Sequence, residues 1–195
     1  KILVIGAGRS AVTLIKYLLD NSVANNWQVT VADFSIALAE QAVGNHANGK
    51  AIFFNVTDEK QRESEINKAD IVISMLPASL HITVAKDCVR LGKNLVTASY
   101  VSPEILALNE TAKSAGVLLL NEIGLDPGID HMSAMQVIDD IKENGGELTS
   151  FKSFCGGLVH PDYDNNPWNY KFTWNPRNVV LAGQGTAQYI ENGDY

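Results

Sequence analysis

The chain has 195 residues, of which 46% are hydrophobic and 19% are charged, and this composition excludes an intrinsically disordered protein. Fifteen Lys and Arg residues against 22 Asp and Glu residues give a net charge of −7, and no basic cluster occurs, so we expect no nucleic-acid partner. No apolar run reaches the ~18 residues that a membrane span requires, so we also expect no membrane partner. The two cysteines, Cys88 and Cys155, are predicted to be free thiols in a reducing, cytoplasmic compartment.

The first part of the chain alternates short apolar runs with amphipathic stretches. Strands are predicted at residues 2–5, 27–32, 51–56, 70–76, 94–99 and 117–121, and helices at 11–20, 36–43, 79–91 and 102–115. For the last of these helices, Ser102 is the expected N-cap and Pro103 the first helical residue. Such alternation is typical of a doubly wound parallel sheet, so we predict an α/β nucleotide-binding domain over residues 1–122.

The pattern changes beyond the sixth predicted strand. A turn signal, Asp126-Pro127-Gly128, precedes a helix predicted over 131–144, which Asp130 is placed to cap. Residues 147–155 are predicted as a further strand. We expect residues 123–195 to begin an α+β substrate domain, and the chain to be the N-terminal portion of a longer enzyme.

The first predicted strand runs into the motif Gly6-Ala7-Gly8-Arg9-Ser10-Ala11, which has the form G-x-G-x-x-A. In a dinucleotide site, Gly6 permits the tight turn, Gly8 lets a pyrophosphate approach the backbone, and Ala11 allows the helix to pack on the strand. The free N–H groups of that helix then face the phosphates. Because the motif follows a strand and opens a helix, it indicates a dinucleotide site. The alternative is a glycine turn that serves only helix–sheet packing.

Asp33 ends the second predicted strand, where a carboxylate accepts hydrogen bonds from both hydroxyls of the adenine ribose. The same carboxylate would repel the 2′-phosphate of NADP, and no Arg lies near Asp33 in sequence, so we expect NAD in preference to NADP. A second role for Asp33, compatible with the first, is to cap the following helix near Ser35. Asn55, Val56 and Leu76 end further strands at the edge where open α/β sheets bind ligands, although ordinary strand ends carry such residues too.

Hydride transfer also needs an acid or a base above the nicotinamide. Our first candidate is Asp126, an acid on a segment that leaves the sheet at the carboxyl edge, and the second candidates are His131 and Cys155. Each has a structural alternative: a linker into a capped helix for the Asp126 segment, a solvated or capping residue for His131, and a core thiol for Cys155. No Cys and His spacing typical of a metal site occurs, so we predict no metal. The remaining histidines are isolated and receive no role: His46, His81 and His160.

Four longer motifs follow in order along the chain: TASYVSP at 97–103, NEIGLDPGIDHM at 121–132, SFCGGL at 153–158 and NPWNYKFTW at 166–174. Together they resemble the saccharopine dehydrogenase family, and specifically its glutamate-forming enzymes of lysine metabolism. The resemblance implies a Rossmann domain interrupted by a substrate domain. It also implies the oxidation of saccharopine by NAD(P) to glutamate and 2-aminoadipate 6-semialdehyde, or the reverse reduction.

The resemblance further implies roles for single residues. Cofactor contacts fall on the first turn, on the ends of the next strands and on a later loop: Ala7, Gly8, Arg9, Ser10, Asp33, Phe34, Ser35, Asn55, Val56, Leu76, and Leu125, Pro127 and Gly128 within 125–132. Contacts to saccharopine fall on Ser99, Tyr100 and Asp126. The fungal NADP-using members carry Arg near the end of the second strand, where this chain has Asp33, and this departure supports NAD.

Saccharopine carries three carboxylates, for which Arg is the usual bidentate partner. Of the four Arg residues, Arg9, Arg62 and Arg90 lie in or beside helices of the nucleotide domain, which leaves Arg177 as the candidate. We therefore predict that the 195 residues bind a dinucleotide but have little or no turnover alone. Two alternatives stay open: a carboxynorspermidine-type dehydrogenase, and a nucleotide-sensing Rossmann module without catalysis. The oligomeric state is open, with a homodimer among the expected assemblies.

Overall fold

Six parallel strands form a sheet in the computed structural model, which describes residues 1–173, 176–182, 188–191 and 193–194. The strands are β1 (Ile2–Ile5), β2 (Val29–Asp33), β3 (Gly49–Phe53), β4 (Ile71–Ser74), β5 (Asn94–Thr97) and β6 (Leu119–Leu120), in the order β3-β2-β1-β4-β5-β6. β1 is buried along its whole length because helices cover both faces of the sheet. The strand order reverses between β1 and β4, which creates the crevice where such sheets bind ligands. The predicted doubly wound α/β fold is confirmed.

Helices connect successive strands, and one further helix follows the last strand of the sheet. They are α1 (Val12–Asp20), α2 (Ile36–Val43), α3 (Glu59–Lys68), α4 (His81–Leu91), α5 (Pro103–Leu106), α6 (Asn109–Ser114) and α7 (Ile129–Glu143). One face of the sheet packs on α1 and α2 through residues such as Ile15 and Val43. The other face packs on α3 and α4 through Ile66 and Val84. Of the described helices, none has the length and apolar character needed to cross a bilayer.

Helix α3 was not predicted, because it carries almost no apolar periodicity. Only Arg62 and Ile66 of its ten residues are buried. Asp58 caps its N-terminus by accepting a hydrogen bond from a backbone N–H of the first turn. The Arg62 guanidinium donates to a carboxylate oxygen of Asp87 on α4 and, at 2.6 Å, to the carbonyl oxygen of Val56. A buried ion pair therefore contributes to holding this polar helix in place.

Helix ends depart from the prediction at two places. The helix predicted over 102–115 is divided into α5 and α6, although Ser102 caps its start as expected by accepting a backbone hydrogen bond. In α7, Gly128 rather than Asp130 occupies the N-cap position. The Asp130 carboxylate instead accepts a 3.0 Å hydrogen bond from the Gly128 N–H. The predicted cap at Asp130 is therefore wrong, because this side chain stabilises the loop before the helix.

The chain divides into two compact units, Lys1–Leu148 and Thr149–Tyr195. The second unit contains helix α8 (Pro176–Ala182). The strand predicted over 147–155 is wrong. Among the described residues no strand pairs with this segment, and a lone segment lacks the hydrogen-bond ladder that defines a strand. The predicted domain boundary after residue 122 stays a prediction.

Candidate functional site

The turn between β1 and α1 is shaped by small residues. Gly6 has a φ of +107°, and a Cβ atom there would lie 2.8 Å from the Met75 carbonyl oxygen, so the position requires glycine. A Cβ atom at Gly8 would meet nothing within 4 Å, which leaves open space beside its backbone. Ala11 is 1% exposed and packs in the core cluster under α1. The turn has the form expected of a loop that binds a pyrophosphate.

The N-terminus of α1 has the chemistry of an anion site. Its N-cap residue, Ala11, makes no side-chain hydrogen bond to the helix, and its first turn holds no acidic residue. The unpaired N–H groups and the positive end of the helix dipole are therefore not neutralised by α1 itself. Arg9 and Ser10, both predicted cofactor contacts, are exposed beside this end. A diphosphate fits here because its oxygens are anionic hydrogen-bond acceptors.

The Asp33 carboxylate joins the end of β2 to this turn. Its Oδ2 accepts a 2.7 Å hydrogen bond from the Ala7 N–H, and its Oδ1 accepts one of 2.7 Å from the Ser35 N–H. Ser35 occupies the N-cap position of α2 without a capping bond from its own side chain. Each carboxylate oxygen has more than one acceptor position, so Asp33 can also accept hydrogen bonds from ribose hydroxyls. The geometry is compatible with both predicted roles of Asp33.

A cavity of about 300 Å³ opens beyond the carboxyl ends of the central strands. Six predicted cofactor residues line it: Gly6, Asp33, Phe34, Asn55, Val56 and Leu76. The Phe34 ring is 71% exposed, and its centroid lies 5.5 Å from that of Phe53. Apolar walls beside a carboxylate suit an adenine ring with its ribose. Ala7, Gly8 and Arg9 line another groove, between α1 and α2.

Two side chains predicted to contact the substrate meet directly. The Tyr100 hydroxyl donates a 2.9 Å hydrogen bond to Asp126 Oδ1, and this bond to a carboxylate raises the pKa of Tyr100. Tyr100 follows β5 and Asp126 follows β6. The two segments are also joined by a 3.1 Å hydrogen bond from the Glu122 N–H to the Ser99 carbonyl oxygen. The fold thus brings Ser99, Tyr100 and Asp126 together at the carboxyl edge of the sheet.

Asp126 lies on a closed loop that runs from Gly124 to Gly128. The Gly124 N–H donates a 2.8 Å hydrogen bond to the Pro127 carbonyl oxygen. Gly128 has a φ of +148°, and a Cβ atom there would lie 2.2 Å from the Gly124 carbonyl oxygen, so glycine is required. Leu125 is exposed and Pro127 is buried, and the peptide bond before Pro127 is cis. Of the predicted cofactor contacts in this loop, Leu125 therefore presents its side chain, whereas Pro127 and Gly128 shape the backbone.

The two other candidates for proton transfer have different surroundings. The His131 ring is exposed in the first turn of α7, with Nδ1 2.7 Å from Asp130 Oδ1. Across the described residues no hydrogen bond joins His131 to Asp126. Cys155 belongs to the second unit and is exposed, so the alternative of a core thiol is wrong. Within the described ranges, no group of three or more His, Cys, Asp or Glu side chains is placed to hold a metal ion.

One buried residue at this edge was missed by the sequence interpretation. His81 begins α4, is 2% exposed, and lies between two strand ends. Its Nδ1 is 2.8 Å from Ser74 Oγ and its Nε2 is 2.8 Å from Ser99 Oγ. Burial lowers the pKa of His81. A lone histidine carries no periodic signal, and the available clue was that hydroxyl residues end the two strands that flank its helix.

Two family models match the chain in order. The saccharopine dehydrogenase NADP binding domain matches residues 2–120, and the saccharopine dehydrogenase C-terminal domain matches residues 124–195. The chain belongs to the saccharopine dehydrogenase family. The resemblance predicted from the four sequence motifs is thereby confirmed.

Named members of the saccharopine dehydrogenase family are similar over most of this chain. The saccharopine dehydrogenase (NADP(+), L-glutamate-forming) of Schizosaccharomyces pombe is 41% identical over 192 residues, which cover 98% of this chain and 42% of that protein. The alpha-aminoadipic semialdehyde synthase of Arabidopsis thaliana is 45% identical over 175 residues, 90% of this chain and 16% of that protein. The apo structure of saccharopine dehydrogenase (L-Glu forming) from Saccharomyces cerevisiae superposes with a TM-score of 0.83 at 40% identity, covering 93% of this chain and 40% of that one. The chain thus spans less than half the length of each relative.

Proposed function

We propose that the chain supplies the dinucleotide site and part of the substrate site of an L-glutamate-forming saccharopine dehydrogenase, an oxidoreductase of lysine metabolism. The proposal is carried by the hydrogen-bonded pair of Tyr100 and Asp126, which lies with Ser99 at the carboxyl edge of the sheet that also holds the Gly6 turn. A relative named for this activity is 41% identical to the chain. The reaction interconverts saccharopine with glutamate and 2-aminoadipate 6-semialdehyde.

The residues present fit a dinucleotide cofactor. The turn at 6–11 and the N-terminus of α1 would hold the diphosphate, Asp33 the adenine ribose, and the cavity beside Phe34 the adenine. Leu125 would lie on the nicotinamide side. When bound, the cofactor supplies the acceptor for the hydride that leaves the carbon next to the saccharopine nitrogen.

We further propose that NAD is preferred, with NADP as the alternative that the name of the S. pombe relative favours. The hydrogen-bond partners of Asp33 are two backbone amides and not a Lys or Arg side chain. Its negative charge therefore stays available to repel a 2′-phosphate, while the carboxylate can accept hydrogen bonds from the two ribose hydroxyls of NAD.

Asp126 is assigned the proton transfer that precedes oxidation. The secondary amine of saccharopine must be neutral before its C–H bond can release a hydride, so a base must first take the ammonium proton. Tyr100 holds Oδ1 of Asp126, and Oδ2 has no hydrogen-bond partner among the described residues, so Oδ2 accepts the proton. Loss of the hydride leaves a C=N bond, water adds to its carbon, and cleavage of the C–N bond releases glutamate and the aldehyde. His131 and Cys155 are the second candidates, after Asp126, for the acid–base role in these steps.

The 195 residues alone are proposed to bind the dinucleotide with little or no turnover. Arg62 and Arg90 both bind Asp87, so neither is available to a substrate carboxylate. Arg9 lies beside the proposed diphosphate position, and Arg177 lies on α8 in the second unit. The proposed partner is a small amino-acid substrate. The homodimer and the cytoplasmic location stay predictions.

A coupled assay tests this function. The complete polypeptide that carries this sequence is mixed with saccharopine and either NAD or NADP, and reduced cofactor and glutamate are measured together. We expect saccharopine-dependent reduction, faster with NAD, and one glutamate for each cofactor reduced. Reduction of the cofactor in the presence of carboxynorspermidine but not of saccharopine would show that the proposed substrate is wrong. Nucleotide binding without reduction of cofactor by either compound would indicate a sensing module and contradict the proposal.

A further inference from the structure

Ser74, His81 and Ser99 form a hydrogen-bonded row that runs from the core to the candidate substrate site. Ser74 ends β4 and is 0% exposed, His81 begins α4 and is 2% exposed, and Ser99 lies just beyond β5 and is half-buried. The two contacts of the imidazole, Nδ1 to Ser74 Oγ and Nε2 to Ser99 Oγ, both measure 2.8 Å. Because β4 and β5 are neighbours, with Ser74 opposite Thr97, the ring spans the gap between the two strand ends.

The imidazole has one N–H to share between the two serines. Burial lowers the pKa of His81, so the ring is neutral at pH 7 and one of its nitrogens is an acceptor. If Nδ1 carries the proton, it donates to Ser74, and Nε2 accepts the hydroxyl proton of Ser99. If Nε2 carries the proton, it donates to Ser99 Oγ, and Ser74 donates to Nδ1. In the second arrangement the hydroxyl proton of Ser99 is left to point away from the row.

The surroundings of Ser74 favour the second arrangement. Within the described part of the chain, its hydroxyl has no hydrogen-bond partner other than His81. A buried hydroxyl that only accepted would leave its own proton unpaired, which is costly, whereas donation to Nδ1 satisfies that proton. On the outer side, Ser99 Oγ lies 2.8 Å from Nε2 and can accept its proton, whereas Thr97 Oγ1 is a more distant contact at 3.4 Å and accepts a 3.3 Å hydrogen bond from the Ser99 N–H.

We propose that His81, held by Ser74, is a positioning residue that fixes the Ser99 hydroxyl as a hydrogen-bond donor to a carboxylate of the substrate. The inference rests on the proposed function, from which Ser99 takes its contact with saccharopine. A carboxylate accepts hydrogen bonds and donates none. If Ser99 donated its proton to His81, only a lone pair of Ser99 would face the substrate carboxylate, and the two would repel each other. Donation from His81 Nε2 to Ser99 Oγ avoids this, because the hydroxyl proton of Ser99 is then free to bind the carboxylate. His81 itself acts only through Ser99.

Kinetics of Ser99→Ala, His81→Leu and the double variant test the row in the complete polypeptide that carries this sequence. Each single variant is expected to raise the KM for saccharopine about 10- to 100-fold, the size expected for a lost hydrogen bond to a charged group, with the KM for NAD unchanged. Because His81 acts through Ser99, the double variant should be no worse than Ser99→Ala alone. Multiplicative effects, or an unchanged KM in His81→Leu, would overturn the proposal.

Two further serine variants distinguish the effect of breaking the Ser74–His81 hydrogen bond from the general effect of losing a buried hydroxyl. Ser74→Ala removes the inner end of the row. Ser22→Ala is the matched control, because Ser22 is also 0% exposed but donates to the Leu19 carbonyl oxygen at the end of α1. The KM for saccharopine is expected to rise in Ser74→Ala and to stay unchanged in Ser22→Ala. Equal responses of the two variants would contradict the proposal.

A measurement on the unmodified protein avoids any dependence on how the variants fold. The nitrogen chemical shifts of the His81 imidazole, assigned through the backbone, distinguish the tautomer protonated on Nε2 from that protonated on Nδ1. The Nε2–H tautomer supports the proposal, and the Nδ1–H tautomer overturns it. This readout needs no turnover. A protein that shows the Nε2–H tautomer but does not oxidise saccharopine would therefore contradict the proposed function and leave the direction of the row intact.

Discussion

The hydroxyl of Tyr100 holds one oxygen of the Asp126 carboxylate through a 2.9 Å hydrogen bond. This bond connects the segment after β5 to the loop between Gly124 and Gly128, so the carboxylate is fixed from two directions. A phenol is protonated at neutral pH, and Asp126 raises the pKa of Tyr100 further, so Tyr100 is the donor in this bond. In this pair, Oδ1 of Asp126 accepts the hydrogen bond from Tyr100, and Oδ2 has no hydrogen-bond partner among the described residues.

Asp126→Asn in the complete polypeptide is expected to lower kcat about 10²- to 10⁴-fold, which is the usual contribution of a general base. The dissociation constant for NADH should not change, because Asp126 acts on the substrate amine. Tyr100→Phe removes the hydrogen bond but keeps the carboxylate, so a smaller loss of about 10-fold is expected. Steady-state kinetics and NADH fluorescence titration measure the two effects. Tyr17→Phe, on the exposed side of α1, is the control, and an unchanged kcat in Asp126→Asn would remove Asp126 from the mechanism.

Asp33→Ser is expected to raise the affinity for NADPH relative to NADH about tenfold or more, the size of one like-charge contact near a protein surface. The physical reason is the loss of the carboxylate that faces the 2′-phosphate position. Fluorescence titration with both reduced cofactors measures the ratio of dissociation constants. Asp139→Asn removes the same charge from an exposed position on α7 and should leave that ratio unchanged. A parent protein that already binds NADPH more tightly than NADH would contradict the NAD preference.

Gly8 and Gly6 should respond differently to the same substitution. A Cβ atom at Gly8 meets nothing within 4 Å, so Gly8→Ala is expected to keep the melting temperature and to weaken NADH binding about tenfold by obstructing the pyrophosphate. Gly6→Ala combines a φ of +107° with a 2.8 Å approach to the Met75 carbonyl oxygen, so about 1–3 kcal/mol of stability should be lost. Thermal unfolding and NADH titration of both variants check this. Undiminished NADH affinity in Gly8→Ala would place the diphosphate elsewhere.

The two cysteines should differ in their reactivity toward a thiol reagent. Burial, with a contribution from Asp87, raises the pKa of Cys88 to about 12, whereas Cys155 is exposed. Because the thiolate is the reactive form, we expect one fast-reacting thiol in the native protein and a second only after denaturation. Titration of the 195-residue chain with a chromogenic disulfide, before and after addition of guanidinium, gives the two counts. Cys155→Ser should abolish the fast phase, and rapid labelling of Cys88 would show that its helix opens readily.

The sheet and the cofactor turn could be predicted because both leave local signals in the sequence. The turn is predicted by an apolar strand that leads into Gly6. The end of the second strand is predicted by an acid, Asp33, at its last position. The topology of a parallel sheet then puts Asn55 and Leu76 at the same edge, where the structure has a cavity. The length of β5 could not be predicted. The residues after Thr97 resemble a strand in composition, but they bind the segment after β6 instead of a neighbouring strand.

Contacts between residues that are far apart in the sequence could not be predicted from local sequence patterns. Helix α3 lacks an apolar stripe, and its buried partner, Asp87, is 25 positions from Arg62. His81 is likewise connected to Ser99 across 18 positions, and neither residue indicates the other in sequence. The motif around Asp126 identified the family, but the hydrogen bond from Tyr100 depends on how two strand ends converge. Such contacts follow from tertiary packing, for which one sequence holds no periodic signature.

The buried guanidinium of Arg62 affects how the nucleotide cavity can fluctuate. It binds the carbonyl oxygen of Val56, a residue of the cavity wall, and at the same time Asp87 on α4. Moving Val56 away alone would leave an N–H of the buried Arg62–Asp87 ion pair without its acceptor, which is more costly than separating apolar side chains. We therefore expect Val56, α3 and α4 to unfold together, so that this part of the cavity wall is as stable as the core on which α3 and α4 pack.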